Sequence, residues 1–559
     1  MSVSASRRKE QDAMRAADLL IRCLENEGVQ YMFGVPGEEN LDVMDALLSS
    51  NIEFITTRHE TGAAFMAGIM GRLTGKPGVC LSTLGPGATN MLTGVADGNM
   101  DRTPIVAITG QAGLDRLHKE SHQAYDLISM YRPVTKWNAT VSTPNAIPEI
   151  VRKAFKISST AKPGATHIDL PEDIAGTEVE GLKPLEVTEL KNGVASETAI
   201  SEGARIVNKA KRPLLLVGNG VTRTNASEEL IAFAEKIQTP ATATFMGKGA
   251  FPASHPLSID SVGISGKDYI NCALEKTDLI IAVGYDMTEI PPTRFNPEGK
   301  IPVLHIDTLN AEVDGHYPVV CNIVGDIAEN LKALMEKVDK RNEPVDFTED
   351  VRSKILDEFN QFESDHHFPL KPQKIIYDLR KVMGEEDIVI SDVGAHKMWI
   401  ARMYPTYKPN TCLISNGLAS MGISVPGAIA AKLVYPKRNV VAVIGDGAFL
   451  MQGCAELETA VRLKLPIVIL IWRDNGYGLI EWKQRNQFNR PSHIKFGNPD
   501  FVQLAESFGA KGMRVNKAEE LENTIKEAFK QNVPVVIDCP VDYSENVKLT
   551  ERLNQLKCD

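Results

Sequence analysis

Apolar runs of strand length alternate with stretches of helix length along the whole chain, and glycine or proline separates them. This alternation is typical of α/β proteins, in which helices connect parallel strands. The clearest unit starts with a β-branched run at 439–444, continues through a helical stretch and ends with a second apolar run at 466–472. The two runs predict buried parallel strands joined by one helix.

Two polar stretches, near 175–195 and 337–372, interrupt the alternation and are interpreted as linkers. They leave three α/β parts, and we expect domains at 1–185, 195–340 and 365–559. Each is predicted to be a doubly wound parallel sheet. In the middle part, Gly218-Asn219-Gly220 follows a strand, but the third glycine of a dinucleotide fingerprint is missing. A structural role for this domain is therefore favoured over nucleotide binding.

Composition narrows the class of protein. Of 559 residues, 43% are hydrophobic and 24% charged, which is ordinary for a globular chain. The net charge of −11 disfavours nucleic acids and anionic membranes as partners. No apolar run reaches the roughly 18 residues of a membrane span. The N-terminal residues lack the apolar core of a secretory signal, so we expect a cytoplasmic protein with no nucleic-acid or membrane partner.

Both strands of the clearest unit end at an aspartate. Asp446 follows the first strand and Asp474 follows the second. The carboxyl ends of neighbouring parallel strands meet at one edge of a sheet, where such proteins bind ligands. Two close carboxylates repel each other unless a cation lies between them, and Mg²⁺ prefers oxygen ligands shared with a phosphate. The pattern predicts a diphosphate held through a metal, with simple capping of helices or turns as the alternative.

The motif Gly445-Asp446-Gly447, followed after 27 residues by Asp474-Asn475, resembles the cofactor motif of thiamine-diphosphate-dependent enzymes. The resemblance implies pyrimidine-binding, central and diphosphate-binding domains in that order. It also implies that Asp446, Asp474 and the Gly476 carbonyl bind Mg²⁺. Asp474 stands where many members have asparagine, and the change adds a negative charge beside the cation.

Segments 394–399 and 415–422 resemble those that line the diphosphate and the thiazolium ring in this family. By the same resemblance Met421 bends the cofactor, and core packing is the alternative. The residues implied to contact the cofactor in the C-terminal part are Gly394, Ala395, His396, Ser420, Met421, Gly445, Asp446, Gly447, Ala448, Asn475, Gly476 and Tyr477.

Glu60 in the N-terminal part follows a predicted strand and precedes an apolar helical stretch. Taken alone, it is an acid in the first turn of a helix, where the dipole stabilises it. The Arg58-His59-Glu60 segment, however, resembles the family's catalytic glutamate segment, which implies that Glu60 activates the cofactor through its aminopyrimidine. Other candidates are Pro36 and Asn90 as cofactor contacts, and Gln111, His122 and Gln123 as catalytic groups around the substrate, with a structural role as the alternative for His122.

Within the family, the chain is most similar to acetolactate synthases of the flavin-independent, catabolic type. The segments that carry this resemblance are 122–123, 133–136, 400–402, 456–464, 505–511 and 540–543. It implies that pyruvate is decarboxylated and its two-carbon fragment joined to a second pyruvate, giving 2-acetolactate and CO₂. Thiamine diphosphate and Mg²⁺ are the implied cofactors. FAD is not expected, because the stretch 284–292 differs from that of the flavin-containing branch.

The family's active site lies between two subunits, so the resemblance implies a homodimer at minimum, and we expect a homotetramer.

Two other functions stay open. Glu481 resembles the glutamate with which 2-oxo acid decarboxylases complete the release of an aldehyde, although a solvent-exposed helix residue is the alternative. Trp482 is one position away from a tryptophan that shapes the acceptor pocket in the biosynthetic branch, and packing is favoured for it. A non-catalytic cofactor-binding homologue is the remaining alternative, against which the retention of Glu60, Asp446 and Asp474 argues.

Overall fold

The computed structural model describes residues 13–188, 192–263 and 269–546. The chain divides into two compact units. The first comprises the chain up to Leu190 together with Ile429–Val434, and the second comprises Lys191–Ala428 and the chain from Tyr435 onward. One six-stranded parallel sheet lies in the first unit and two lie in the second. The predicted α/β fold with three doubly wound domains is confirmed.

The sheet of the first unit has the strand order β3-β2-β4-β5-β7-β6, and a short antiparallel pair, β1 with β8, lies beside it. Strands β5 and β7 are buried along their whole length. Their buried polar side chains are paired, since the Thr109 hydroxyl hydrogen-bonds with His167 and Asp169. The strands are β1 (Ala13–Arg15), β2 (Tyr31–Gly34), β3 (Glu53–Thr56), β4 (Gly78–Ser82), β5 (Ile105–Gln111), β6 (Trp137–Thr140), β7 (Ala165–Pro171) and β8 (Glu178–Glu180). The helices are α1 (Ala16–Asn26), α2 (Leu41–Leu47), α3 (Glu60–Thr74), α4 (Pro86–Met100), α5 (Leu127–Tyr131), α6 (Ile147–Ser159) and α7 (Glu172–Ala175).

The central sheet has the order β11-β10-β9-β12-β13-β14. Its direction of winding changes between β9 and β12, the position where such sheets ordinarily bind ligands. The strands are β9 (Pro213–Val217), β10 (Ala241–Ala243), β11 (Ser258–Ser261), β12 (Leu279–Val283), β13 (Val303–Asp307) and β14 (Val319–Val324). The helices are α8 (Glu197–Lys209), α9 (Asn219–Arg223), α10 (Ser227–Ile237), α11 (Tyr269–Lys276), α12 (Ile327–Lys337) and α13 (Thr348–Asn360).

The C-terminal sheet has the order β16-β15-β17-β18-β20-β19. Its centre is formed by β17 and β18, the two runs that the hydrophobic pattern predicts as buried strands. The strands are β15 (Ile388–Ser391), β16 (Cys412–Ile414), β17 (Val440–Gly445), β18 (Val468–Arg473), β19 (Lys511–Arg514) and β20 (Val535–Pro540). The helices are α14 (Pro372–Val382), α15 (Ala395–Met403), α16 (Ser424–Val434), α17 (Asp446–Ala448), α18 (Cys454–Arg462), α19 (Gly478–Phe488), α20 (Phe501–Ser507) and α21 (Leu521–Ala528).

Candidate active site

Two aspartates lie side by side at the carboxyl edge of the C-terminal sheet. Gly445 pairs with Trp472 across β17 and β18, so Asp446 and Asp474 follow neighbouring strand ends. Burial raises the pKa of Asp446. Burial and then the charge of Asp446 raise the pKa of Asp474 to about 7. Since each carboxylate disfavours the other's ionisation, the pair is suited to a bound cation.

Main-chain and amide groups fix the orientation of Asp446. Its Oδ1 accepts from the Gly447 N–H at 2.9 Å, and its Oδ2 accepts from the Asn475 N–H at 2.7 Å. The side-chain amide of Asn498 donates to the same Oδ2 and to Oδ1 of Asn475, each at 2.8 Å. Asn498 was missed by the sequence reasoning, because it lies in a loop far from the motif and no spacing singles it out.

Asn475 has a φ of +55°, in the left-handed region that asparagine tolerates. This turn carries the chain from β18 to Gly476, which forms an isolated antiparallel bridge with Lys495. Gly447 lies against the rings of Tyr477 and Phe496, where an added Cβ would stand 2.9 and 3.0 Å from ring atoms. The motif residues Gly447, Asn475, Gly476 and Tyr477 are thus brought together around Asp446.

His396 supplies a polar nitrogen without a partner beside this edge. Its side chain is only 2% exposed, and Nε2 has no hydrogen bond within the described chain. Burial lowers the pKa of His396 to about 3, so the ring is neutral near pH 7. A Cβ added at Gly394 would stand 2.7 Å from the ring, and one added at Gly445 would stand 3.5 Å from it. A buried nitrogen of this kind is costly unless a bound group satisfies it.

Asp392, at the end of β15, joins the two segments that resemble the cofactor lining. Its carboxylate accepts from the N–H groups of Val393, Gly422 and Ser424 at 2.8 to 2.9 Å. Ser420 and Met421, in the same turn, are half-buried. The sequence reasoning missed Asp392, although it carries the signal that identified Asp446 and Asp474: an aspartate that ends a buried strand.

The candidate cation site offers few protein ligands. Among residues 13–188, 192–263 and 269–546, no group of three or more His, Cys, Asp or Glu side chains could hold a metal ion. Two carboxylates and a carbonyl leave positions open, which suits Mg²⁺ because it usually keeps water or phosphate oxygens. The donors are all oxygen atoms, so the residues present fit Mg²⁺ with a diphosphate.

Glu60 and Asn90 meet within the first unit. Glu60 opens α3 after β3, and the Asn90 amide donates to its Oε2 at 3.0 Å. The Thr61 hydroxyl donates to the Asn90 carbonyl at 2.5 Å, which ties the first turn of α3 to α4. Glu60 itself is half-buried. Pro36 lies exposed after β2, the strand that pairs with both β3 and β4, and therefore stands at the same edge.

The candidate catalytic groups Gln111, His122 and Gln123 occupy different surroundings. Gln111 is buried at the end of β5, and its amide donates to the Tyr125 carbonyl at 3.1 Å. Its Oε1 accepts from the Ala112 N–H at 3.0 Å. His122 is exposed, whereas Gln123 lies against Gly85. Gln111 thus holds the loop that carries the other two residues.

Glu481 and Trp482, for which the sequence suggests more than one role, have well-defined contacts. Glu481 forms ion pairs with Arg485 at 2.7 Å and Lys495 at 3.0 Å. Burial opposes ionisation of Glu481, but these two cations together lower its pKa below the ordinary value. Trp482 is 6% exposed and belongs to the core of the C-terminal domain, as the packing interpretation predicts.

No helix within the described residues is both long and apolar enough to cross a bilayer.

Comparison with known proteins adds three domain matches. The N-terminal thiamine pyrophosphate (TPP) binding domain of thiamine pyrophosphate enzymes matches residues 14–130, their central domain 200–334 and their C-terminal TPP binding domain 392–539. The acetolactate synthase of Bacillus subtilis is 36% identical, over 97% of this chain and 96% of its own length. The catabolic acetolactate synthase of Raoultella terrigena is 35% identical over 98% of both chains. A probable acetolactate synthase large subunit of Methanocaldococcus jannaschii is 36% identical over 95% of this chain and 93% of its own length.

Proposed function

Because this chain belongs to the thiamine pyrophosphate enzymes and, within them, to the acetolactate synthase family, we propose that it converts two pyruvates into 2-acetolactate and CO₂. The observation that carries the proposal is the paired Asp446 and Asp474 beside the unpartnered His396 nitrogen. That arrangement suits a metal ion together with a diphosphate, which is the anionic part of thiamine diphosphate.

Thiamine diphosphate, when bound, supplies a carbon nucleophile and an electron sink for decarboxylation. We expect Asp446, Asp474 and the Gly476 carbonyl to hold Mg²⁺, and the 394–396 and 420–421 segments to contact the cofactor. Asn475 and Asn498 keep Asp446 in orientation through their hydrogen bonds. Mg²⁺ binding requires both carboxylates to be ionised, and the cation offsets their mutual repulsion.

Glu60 is expected to hold and move a proton at the aminopyrimidine. The Asn90 amide donates to Oε2 of Glu60 and so fixes the plane of the carboxyl group. A fixed carboxyl can exchange a proton with a bound ring nitrogen without first reorienting. Gln111, His122 and Gln123 stay predictions as substrate-side groups, with Gln111 holding the loop of the other two through the Tyr125 carbonyl.

Release of an aldehyde, the alternative outcome, requires a group that protonates the reacting carbon. Glu481 is a poor proton donor near pH 7, because its two ion pairs favour the ionised form. This observation favours carbon–carbon bond formation over simple decarboxylation.

The assembly and location complete the proposal. A homodimer at minimum, and a homotetramer as the expected form, would be distinguished by light scattering on the purified chain. A cytoplasmic location stays a prediction, which cell fractionation checks.

The test is a product assay with Mg²⁺, thiamine diphosphate and pyruvate, in which acetolactate and acetaldehyde are measured separately. The proposal predicts acetolactate as the main product. Acetaldehyde as the main product would contradict it and would direct attention to Glu481. Thiamine diphosphate bound without either product would indicate a different 2-oxo acid donor or a non-catalytic homologue.

A further inference from the structure

The loop after β12 brings a buried carboxylate to the place where the central sheet reverses its winding. Glu289 is 2% exposed, and both of its oxygens accept from the Asn219 N–H, at 3.1 and 3.0 Å. Its Oε2 also accepts from the Thr244 hydroxyl at 2.5 Å. One side chain therefore joins the loops that follow β9, β10 and β12.

The loop itself is closely held. Gly218, after β9, lies against Gly284, where an added Cβ would stand 2.2 Å from the Gly284 carbonyl oxygen. The Gly220 N–H donates to that oxygen at 2.8 Å. The Tyr285 hydroxyl donates to the Ile290 carbonyl at 2.5 Å, on the far side of Glu289. The position of the Glu289 main chain is thus fixed from both directions.

The main-chain carbonyl of Glu289 reaches the C-terminal domain. It accepts from the Asn416 side-chain amide at 2.5 Å. The amide oxygen of Asn416 in turn accepts from the Lys397 ammonium group at 2.9 Å. Lys397 is buried and follows His396 in α15. A continuous chain of hydrogen bonds therefore runs from the central sheet to the two segments 394–399 and 415–422.

We propose that Glu289 is a positioning residue that holds segment 415–422 in the conformation needed to bind thiamine diphosphate. Its carboxylate fixes the loop, and its carbonyl fixes Asn416. The role in cofactor binding rests on the proposed function, in which segment 415–422 contacts the cofactor.

The substitution Glu289→Gln keeps the shape of the side chain and replaces one oxygen, a hydrogen-bond acceptor, by an NH₂ group that can only donate. Hydrogen exchange is measured first, on full-length protein freed of cofactor and Mg²⁺. We expect amide hydrogens in segment 415–422 to exchange about tenfold faster in this variant, because weakening one buried hydrogen bond costs roughly 1.4 kcal/mol of stabilisation. This readout needs no cofactor and stays informative if the proposed function is wrong.

Asp307→Asn is the matched control. Asp307 is also a buried carboxylate at the carboxyl end of a central strand, and it accepts from the Thr308 N–H and hydroxyl. We expect this variant to leave exchange in 415–422 unchanged. Equal acceleration in both variants would mean general loosening of the domain and would overturn the proposal.

Thiamine diphosphate affinity is measured next, by quenching of tryptophan fluorescence with excess Mg²⁺. Glu289→Gln should raise the dissociation constant about tenfold and leave kcat at saturating cofactor within about twofold. In an Asn416→Ala background the same substitution should add no further loss, because the connection is already cut. An unchanged dissociation constant in folded Glu289→Gln would contradict the proposal.

Thr244→Val is the second variant, for the case that Glu289→Gln does not fold. It removes the hydrogen bond to the Glu289 carboxylate, together with one that the hydroxyl accepts from the Gly247 N–H, and keeps the side-chain shape. We expect smaller changes in the same two measurements. Unchanged exchange and affinity in Thr244→Val, beside an unfolded Glu289→Gln, would limit Glu289 to a role in folding and overturn its positioning role.

Discussion

The carboxyl edges of the central and the C-terminal sheet differ, although both sheets have six parallel strands. In the central domain the chain fills the edge itself: Gly218 lies against Gly284, and the Glu289 carboxylate takes the Asn219 N–H. In the C-terminal domain Asp446 and Asp474 follow the ends of neighbouring strands, and His396 keeps a buried nitrogen without a partner.

The difference teaches that the fold provides an edge and that individual residues decide whether it binds anything. An internal carboxylate satisfies main-chain donors and closes the first edge. Two adjacent carboxylates and an unpartnered nitrogen leave the second edge incomplete without a cation and an anionic group. Unpartnered polar atoms alone do not distinguish the two edges, because the Asn219 side chain and Asp307 Oδ2 at the central edge also lack hydrogen-bond partners within the described residues.

The largest effect is expected from removing a carboxylate at the open edge. Asp446→Ala should lower acetolactate formation about 1000-fold or more, because a bound metal contributes several kcal/mol to such a site. Asp307→Asn, at the corresponding edge of the central sheet, should keep activity within about threefold. Steady-state assays over a range of Mg²⁺ concentrations measure both. Equal losses of activity in the two variants would contradict the proposed difference between the two edges.

A substitution at Glu60 tests whether the carboxyl edge of the first sheet contributes a catalytic group or only structural support. Glu60→Gln should lower kcat by about 100-fold or more, because general acid–base groups contribute that much. Cofactor affinity, measured by fluorescence quenching, should change only slightly. Glu481→Gln makes the same chemical change and should leave acetolactate the main product. A larger loss in Glu481→Gln than in Glu60→Gln would reverse the assigned roles.

His396→Leu asks whether the unpartnered nitrogen serves binding. We expect thiamine diphosphate affinity to fall about tenfold, the value of one hydrogen bond to a charged group. The cofactor-free protein should melt at the same or a higher temperature, because a buried polar atom without a partner is removed. Calorimetry with and without cofactor measures both quantities. A lower melting temperature with unchanged affinity would make His396 a structural residue.

Added methyl groups distinguish a closed edge from an open one. Gly218→Ala places its Cβ 2.2 Å from a main-chain oxygen, so the backbone must move. Gly447→Ala meets the ring edges of Tyr477 and Phe496 at 2.9 and 3.0 Å, which can rotate away. We expect Gly218→Ala to lower the melting temperature by roughly 4 °C or more and Gly447→Ala to lower it less. Gly447→Ala should instead weaken cofactor binding. The reverse pattern would contradict the assignment of the two edges.

The smallest effect concerns pH. Burial raises the pKa of Glu289 to about 7, with Arg223 opposing the rise. The folded state therefore keeps its proton when the unfolded state has already lost it, and stability falls as pH rises from about 4.5 to about 7. Glu289→Gln should lack this fall, which we expect to be worth roughly 2–4 °C. Melting temperatures of the original protein and of Glu289→Gln at pH 5 and pH 8 test this prediction. An equal fall in melting temperature in both proteins would contradict it.

The sequence alone could predict the architecture and the adjacency of Asp446 and Asp474. The runs at 439–444 and 466–472 are buried strands, and a strand end fixes where the next side chain lies. Asp446 and Asp474 therefore follow from local pattern and parallel geometry together.

The rest depends on contacts that no local pattern records. Asn498 reaches Asp446 from a loop 52 positions further along the chain. Glu289 meets Asn219 and Thr244 only because three loops converge at one edge. The candidate Gln111 carries a buried amide that the chain itself uses, and its substrate role stays a prediction.

One titration tests the central claim most directly. Thiamine diphosphate and, separately, FAD are added to the purified chain in a calorimeter, with Mg²⁺ and with a chelator. The account predicts one thiamine diphosphate per chain, bound only when Mg²⁺ is present, and no heat from FAD. Thiamine diphosphate binding that is equally tight in the presence of the chelator would contradict a metal-dependent site at the C-terminal edge. Stoichiometric binding of FAD would contradict the expectation that the chain binds no flavin.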